Sequence, residues 1–278
     1  MIFALFGGDA RTVRLIRLLR EDGHTVRHFA LEKAMDDGES GAGAAAAGAD
    51  CVILPLPALR DGRLNAPFAA EPVTAESVLR TVCPGTPVCA GKADAALRAL
   101  CASLGLPLYD YFLREDFTLR SAELTAEAAA ALLARRRDLR GCRVLISGFG
   151  RIGKRLAARL HDAGALVTAA ARSEKARAEA AALHCRTVPV AEAAAPGYDF
   201  AVNTVPAVIF GGAEIAAFGD AALIELASPP YGFDLAAAEA AGKEVTVASG
   251  LPGVYTPDAA AAAIRSAICA ILEERERA

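Results

Sequence analysis

Three glycines spaced G-x-G-x-x-G, at Gly148, Gly150 and Gly153, stand between the apolar run Arg143-Val144-Leu145-Ile146-Ser147 and a helical stretch from Lys154 to Leu160. Residues of this type at this spacing bind a diphosphate. Gly148 permits a tight turn, Gly150 lets the phosphates approach the backbone, and Gly153 lets the helix pack closely while its N-terminal amides face the anion. The strand before and the helix after supply the context that a glycine triplet alone lacks. Gly148, Phe149, Gly150, Arg151, Ile152 and Gly153 are therefore expected to hold a nicotinamide dinucleotide.

The choice of dinucleotide falls to the end of the next apolar run, Val167 to Ala171, which is followed by Arg172 and Ser173. NAD enzymes place an acidic residue about 20 positions past the glycines to hold the ribose 2′-hydroxyl, whereas an arginine there receives a 2′-phosphate. Arg172 favours NADP, with NAD possible. Its guanidinium offers a planar fork to phosphate and a face to adenine, while Ser173 caps the next helix. The alternative is a solvated arginine beside an N-cap. Two further loops follow apolar runs: Asn203-Thr204-Val205-Pro206, and Ala227 to Asp234, which contains Ser228. Their placement at strand carboxyl ends suits a lined cofactor cleft, although Gly and Pro there also serve as plain turn residues. A third loop, 249–255, precedes the last helix.

In the first half, Gly7-Gly8-Asp9-Ala10-Arg11 forms the turn from the first strand into the first helix. Its amides and the Arg11 guanidinium would meet an anionic substrate; otherwise Asp9 is an N-cap and Arg11 a surface charge. The cluster Arg114-Glu115-Asp116, before a crossing helix, reads either as a second charged contact or as a solvated loop. Asp9, Arg11 and Arg114 are the candidate substrate-binding and catalytic residues. The four histidines are His24, His28, His161 and His184, so nothing later in the chain supplies the imidazole that a D-2-hydroxyacid dehydrogenase uses as acid and base.

These residues need a scaffold, and the alternation of strand-like and helix-like stretches indicates α/β: two Rossmann-like domains with parallel sheets and an interdomain cleft. Residues 1–122 form a substrate domain, with strands at Ile2–Phe6, Thr25–Phe29, Cys51–Leu54 and Pro87–Ala90 and a helix at Ala10–Glu21. Gly38 to Gly48, nearly all Gly and Ala, is compatible with a flexible loop or a short helix. Residues 123–257 form the nucleotide domain. It contains a helix at Thr125–Arg137 and strands at Arg143–Ser147, Leu166–Ala170, Asp199–Val205, Ala222–Leu226 and Glu244–Ala248. The last helix, Ala259 to Leu272 within the segment 258–278, has no strand after it and is expected to pack back on the first domain.

At 278 residues and 54% hydrophobic content the chain can fill two cores. A net charge of -3 gives no bulk attraction to nucleic acid or to anionic membrane. The seven cysteines are scattered and never spaced C-x-x-C, which argues for small buried thiols and against a disulfide framework or a metal site. No run is long enough to span a membrane and no cleavage pattern follows Met1 to Phe6, so the cytoplasm is the expected compartment.

Over both domains the chain resembles the A-subunit family of dipicolinate synthase from spore-forming bacteria. The resemblance is carried by Gly7-Gly8-Asp9-Ala10-Arg11, Arg114-Glu115-Asp116, Thr125-Ala126-Glu127, Gly148-Phe149-Gly150-Arg151-Ile152-Gly153, Ala171-Arg172-Ser173, Asn203-Thr204-Val205-Pro206, Leu226-Ala227-Ser228 and Gly250-Leu251-Pro252-Gly253. The opening and closing motifs are more specific than the Rossmann ones, which many dehydrogenases share. The chain departs at Ser121, Leu124 and Ala128, where the family has Asn, Pro and Gly, and at Tyr231, which stands in a Pro-Gly-Gly stretch. The resemblance implies oxidation of a dihydropyridine dicarboxylate by NADP or NAD in the mother cell during sporulation. It also implies partnership with the flavoprotein-like B-subunit of dipicolinate synthase, and a homo-oligomer is compatible with it. Two other readings fit the motifs: an NAD(P)-dependent dehydrogenase of a hydroxy or amino acid, and a non-catalytic nucleotide-binding scaffold for a partner protein.

Overall fold

The computed structural model describes residues 1–277, which fall into two compact units. The first comprises Met1–Ser121 and the segment from Thr256 onward; the second is Ala122–Tyr255. The chain begins with β1 (Ile2–Phe6), α1 (Ala10–Glu21), β2 (Thr25–Phe29), α2 (Ala42–Ala46) and β3 (Cys51–Ile53). A short hairpin follows, β4 (Leu59–Arg60) and β5 (Arg63–Leu64), then α3 (Ala75–Leu79), β6 (Val88–Ala90), α4 (Ala95–Ser103) and β7 (Leu108–Asp110). Five of these strands form a parallel sheet ordered β2-β1-β3-β6-β7, whose direction of winding switches between β1 and β3.

α5 (Glu115–Ala134) carries the chain into the second unit. There β8 (Arg143–Ser147), α6 (Arg151–Asp162), β9 (Leu166–Ala170), α7 (Glu174–Ala182), β10 (Arg186–Val188), β11 (Phe200–Asn203) and α8 (Gly212–Ala217) follow in turn. β12 (Ala222–Glu225), α9 (Leu235–Ala240), β13 (Val245–Val247) and α10 (Leu251–Tyr255) complete it, and α11 (Pro257–Glu276) belongs to the first unit. The six parallel strands take the order β10-β9-β8-β11-β12-β13, the winding of a dinucleotide-binding sheet, with its switch between β8 and β11.

Strand alternation explains why these short runs are so uniformly apolar. In β8, Val144 and Ile146 enter one core and Leu145 the other; in β1, Phe3 and Leu5 face one way and Ala4 and Phe6 the other. A parallel sheet covered on both faces needs this pattern. α1 buries Thr12, Leu15, Ile16 and Leu19, one stripe at helical spacing. α11 packs along α1 through Ala261, Ile264, Ala267, Ile268 and Ile271, and two exposed pairs, Arg14 to Asp258 at 3.1 Å and Arg265 to Asp22 at 3.0 Å, flank the contact.

Several boundaries differ from the sequence reading. α5 starts at Glu115, so Glu115 and Asp116 are not a loop before the helix but its first turn, where acidic side chains complement the positive end of the dipole. The Gly/Ala-rich segment holds the short helix α2 after a loop. β7, β10 and the hairpin strands, two or three residues each, add to the elements that the sequence indicates. Cys51, Cys89, Cys101, Cys142 and Cys185 are buried, whereas Cys83 is exposed. Among the described residues no helix is long and apolar enough to cross a membrane.

Candidate functional site

At the switch point of the second unit, β8 ends in Ser147 and the chain turns through Gly148 at φ +90°. A Cβ on Gly148 would lie 2.5 Å from Thr204 Oγ1 and 2.7 Å from Val205 Cγ2, and one on Gly153 would overlap the Gly148 carbonyl oxygen. Both glycines are closed by protein. Gly150 differs: it is the N-cap of α6 with no side-chain cap, and a Cβ there would meet nothing within 4 Å. The open position is the one a diphosphate requires, so the turn fits a bound dinucleotide. Phe149 points its ring into the core, leaving only its backbone for a ligand, and Ile152 packs on the same core. The Arg151 carbonyl accepts from Arg155 Nη1 at 3.0 Å.

Behind the turn lies a buried polar network that the sequence does not reveal. Asn203, fully buried at the end of β11, accepts from Ser147 Oγ at 2.8 Å and from the Val205 amide at 3.1 Å; its Nδ2 donates to the Val205 carbonyl at 2.9 Å and to Glu225 Oε1 at 2.7 Å. Glu225, also fully buried, accepts in addition from the amides of Ala227 and Gly232, both at 2.8 Å, and of Phe233 at 3.2 Å. Thr204 Oγ1 donates to the carbonyl of Ser147 at 2.9 Å and reaches that of Gly148 at 3.2 Å. The network joins the carboxyl ends of β8, β11 and β12 and fixes the loops that carry Thr204, Val205 and Ser228. Asn203 therefore acts from within the wall, whereas Pro206 and Ser228 are exposed. Tyr231, half-buried at φ +46°, donates its amide to the Ser228 carbonyl at 3.2 Å.

Arg172 follows β9, the strand beside β8, and its side chain is exposed with no partner among the described residues. Ser173 is the N-cap of α7, its Oγ accepting from the Ala176 amide at 3.2 Å. The loop is held from beneath by Arg177, whose Nη1 donates to the carbonyls of Ala171 and Arg172, both at 2.9 Å. Lys154 pairs with Glu179 at 2.7 Å and holds that carboxyl below its usual pKa.

In the first unit, Gly7 and Gly8 turn at φ +65° and +113° and donate their amides to the carbonyls of Phe29 and Asn65. Asp9 caps α1 through Oδ1, which accepts from the Arg11 amide at 3.0 Å. The Arg11 guanidinium folds back on the same carboxylate: Nη2 lies 2.6 Å from Asp9 Oδ2 and also donates to the Leu56 carbonyl, and Nε donates to Asp9, leaving Nη1 without a partner among the described residues. Arg114 pairs with Asp116 at 3.0 Å and with Glu274 at 2.9 Å, so it shares no partner with Arg11. Tyr111, wholly buried, donates to the Leu54 carbonyl at 3.2 Å, and burial pushes its phenol far above the usual value. His24, His161 and His184 lie at turns or helix ends that lead into strands, away from the carboxyl ends; His28 is buried in β2 with Nε2 3.0 Å from Asp37 Oδ1.

Comparison with known proteins divides the chain along similar lines. Residues 2–112 match the N-terminal domain of the dipicolinate synthase A-subunit, and residues 116–209 match the NAD binding domain of the D-isomer specific 2-hydroxyacid dehydrogenases. The latter match indicates a nicotinamide dinucleotide as cofactor. The chain is 28% identical over 285 residues to the dipicolinate synthase A-subunit of Bacillus subtilis (strain 168), covering 98% of this chain and 95% of that one. Among solved structures it is similar to the dipicolinate synthase A-subunit from Bacillus halodurans, with a TM-score of 0.83 and 23% identity over 98% of this chain and 97% of that one. The dipicolinate synthase structure from Bacillus subtilis gives a TM-score of 0.82 and 25% identity over 100% and 97%.

Proposed function

We propose that this chain, similar over nearly its whole length to the A-subunit of dipicolinate synthase, catalyses the NADP-dependent oxidation of dihydrodipicolinate, or of its hydrated precursor, to dipicolinate. NAD is the alternative acceptor and the flavoprotein-like B-subunit the partner, in the mother-cell cytoplasm of a spore-forming bacterium. The observation that carries this reading is the glycine turn of the second unit, closed at Gly148 and Gly153 and open at Gly150, in a chain similar along its whole length to a dipicolinate synthase A-subunit.

Residues 123–257 serve as the nucleotide domain. The amides of Gly148 to Gly153 receive the diphosphate, Arg172 receives a 2′-phosphate, and the Ser147–Asn203–Glu225 network keeps the neighbouring loops from collapsing into the open position. A nicotinamide dinucleotide, when bound, supplies the hydride acceptor. Residues 1–122, with 258–278, serve as the substrate domain, in which Arg11 offers Nη1 to a substrate carboxylate while its other nitrogens hold Asp9 and Leu56. Oxidation of the dihydropyridine removes a hydride and a proton and leaves an aromatic ring, so the chemical driving force lies in the substrate. The protein's task is orientation, which needs no imidazole acid or base.

The test is reconstitution: the chain with the B-subunit from the same genome, dihydrodipicolinate generated in situ, reduced nicotinamide followed by absorbance and dipicolinate by chromatography. Stoichiometric formation of both products, absent when this chain is omitted, is expected. Equal dipicolinate formation without the chain would refute the reading.

A further inference from the structure

A substrate with two carboxylates needs more cation than one nitrogen of Arg11. The charged groups at the carboxyl ends of the first unit's sheet show where it is available. A cavity of about 630 Å³ lies there, lined by Lys33 from the loop after β2, Arg60, Asp61 and Arg63 from the β4–β5 hairpin, and Asn65 and Glu71 beyond it. Its size falls within the range of small-molecule sites, roughly 300–1,000 Å³.

The hairpin is built to hold two guanidinium groups together. Asp61 and Gly62, at φ +51° and +74°, form the two-residue turn, so Arg60 and Arg63 stand directly opposite each other in register and on one face. Like charges facing across a strand pair oppose its formation. Neither arginine, nor Lys33, has a carboxylate partner among the described residues, although Asp61 and Glu71 also line the cavity. Several arginines elsewhere in this unit are matched with carboxylates, Arg11 with Asp9, Arg20 with Asp37, Arg98 with Asp110, and Arg114 with Asp116 and Glu274.

The cavity also adjoins the switch point. Asn65, only 3% exposed, donates Nδ2 to the Pro57 carbonyl at 3.0 Å, and its own carbonyl accepts the Gly8 amide at 2.9 Å. A Cβ on Gly7 would lie 2.8 Å from Ala66 Cβ, so the exit of the hairpin rests on the Gly7-Gly8 turn. The Lys33 loop is tied to the same wall, its amide donating to the Phe68 carbonyl at 2.8 Å, with the Ala70 amide donating to Glu32 Oε2 at 2.9 Å. A winding reversal with unmatched cations beside it is where an open parallel sheet takes an anionic ligand.

We propose that this cavity is a carboxylate subsite for a small planar dicarboxylate, with Arg60 and Arg63 gripping one carboxylate and Lys33 adding charge. It rests on the dipicolinate reading above. The test is calorimetric titration of pyridine-2,6-dicarboxylate into the full chain with reduced dinucleotide present. The parent should bind it more tightly than pyridine-2-carboxylate. The Arg60→Ala/Arg63→Ala pair should bind it at least about tenfold more weakly, the scale of one charged hydrogen bond. Arg60→Lys/Arg63→Lys, which keeps the charge and loses the fork, should fall between them and covers the case in which the alanine pair disturbs the fold. Dinucleotide affinity should stay at the parent value in both.

Parent-like dicarboxylate affinity in both pairs, no binding by the parent, or equal competition by inorganic phosphate would overturn the subsite. Loss of binding in the variants, in a parent that transfers no hydride when the B-subunit is supplied, would keep the subsite and reject the reaction. Parent turnover matched by the alanine pair would do the reverse.

Discussion

Glu225→Gln leaves the size and shape of a fully buried side chain nearly unchanged and removes one acceptor oxygen. In the parent, Oε1 accepts from Asn203 Nδ2 at 2.7 Å and the Ala227 amide at 2.8 Å, and Oε2 from the amides of Gly232 at 2.8 Å and Phe233 at 3.2 Å. Whichever end the glutamine nitrogen takes, it faces two donors. Asn203 cannot relieve the conflict by turning over, because Ser147 Oγ and the Val205 amide hold its oxygen while the Val205 carbonyl holds its nitrogen. Two charge-assisted hydrogen bonds at about 1.5 to 3 kcal/mol each give a loss of about 3 to 6 kcal/mol. At roughly 3 °C per kcal/mol for a unit of this size, its thermal transition should fall by about 10 to 20 °C. Scanning calorimetry on parent and variant measures this directly, and the first unit's transition should not move. Dinucleotide affinity should fall too, since the glycine turn hangs on the same network. A variant within about 1 kcal/mol of the parent would show that the carboxylate is not what holds the loop.

Arg172→Ala should weaken NADP binding roughly 10- to 150-fold and leave NAD binding and stability unchanged, because the side chain is exposed and has no protein partner to lose among the described residues; titration showing tighter NAD binding in the parent would overturn the assignment. Gly150→Val should fold, since φ is -88° and the new Cβ meets no protein atom, yet fail to bind dinucleotide; unchanged affinity would place the nucleotide elsewhere. Arg114 holds the Asp116 carboxyl below its ordinary value of 3.8 against the opposing effect of burial, so the stabilisation it gives is present above about pH 4 and is lost as pH falls through the lowered value. Both partners are partly exposed, so Asp116→Asn should cost well under about 1 kcal/mol at neutral pH and flatten the acid limb of thermal stability; an acid limb identical to the parent's would show that the pair does not titrate with folding.

The elements legible residue for residue are β1, α1, β2, β8 and β9. Each strand among them is a five-residue run with apolar residues facing both cores, bounded by turn residues, and α1 carries a single stripe behind an aspartate cap. β7 and β10 escape that reading because three residues give too little alternation to distinguish from loop. The start of α5 is hidden because its first turn is charged, and acidic residues there look like a loop until the helix dipole is considered. At the candidate site the glycine spacing is local and therefore visible. Glu225 is not, since a lone acid in Leu223-Ile224-Glu225-Leu226 gains its meaning only when Gly232 and Phe233 fold back to donate to it. Asn203 shows the same limit: it stands in a plausible ligand loop, but its side chain faces inward.

One physical contrast decides where an anion can use a helix end and where it needs side chains. Gly7 and Gly148 close β1 and β8 in the same way, each at positive φ and each with a neighbouring loop where a side chain would be, Ala66 at 2.8 Å and Thr204 at 2.5 Å. The following helices differ at the N-cap. α6 starts from Gly150, which brings no capping side chain, so no side chain of the cap competes with an arriving diphosphate for the first turn. α1 starts from Asp9, whose carboxylate already takes the Arg11 amide and the Arg11 guanidinium. A second anion at that end would have to displace this carboxylate or sit beside it, and two like charges about 4 Å apart repel by about 4 kcal/mol at the screening typical of a protein surface. The amides of α1 are therefore closed to a substrate carboxylate, and its binding falls to side chains: Nη1 of Arg11, and the unmatched cations Lys33, from the loop after β2, and Arg60 and Arg63, from the hairpin that rests on the same turn.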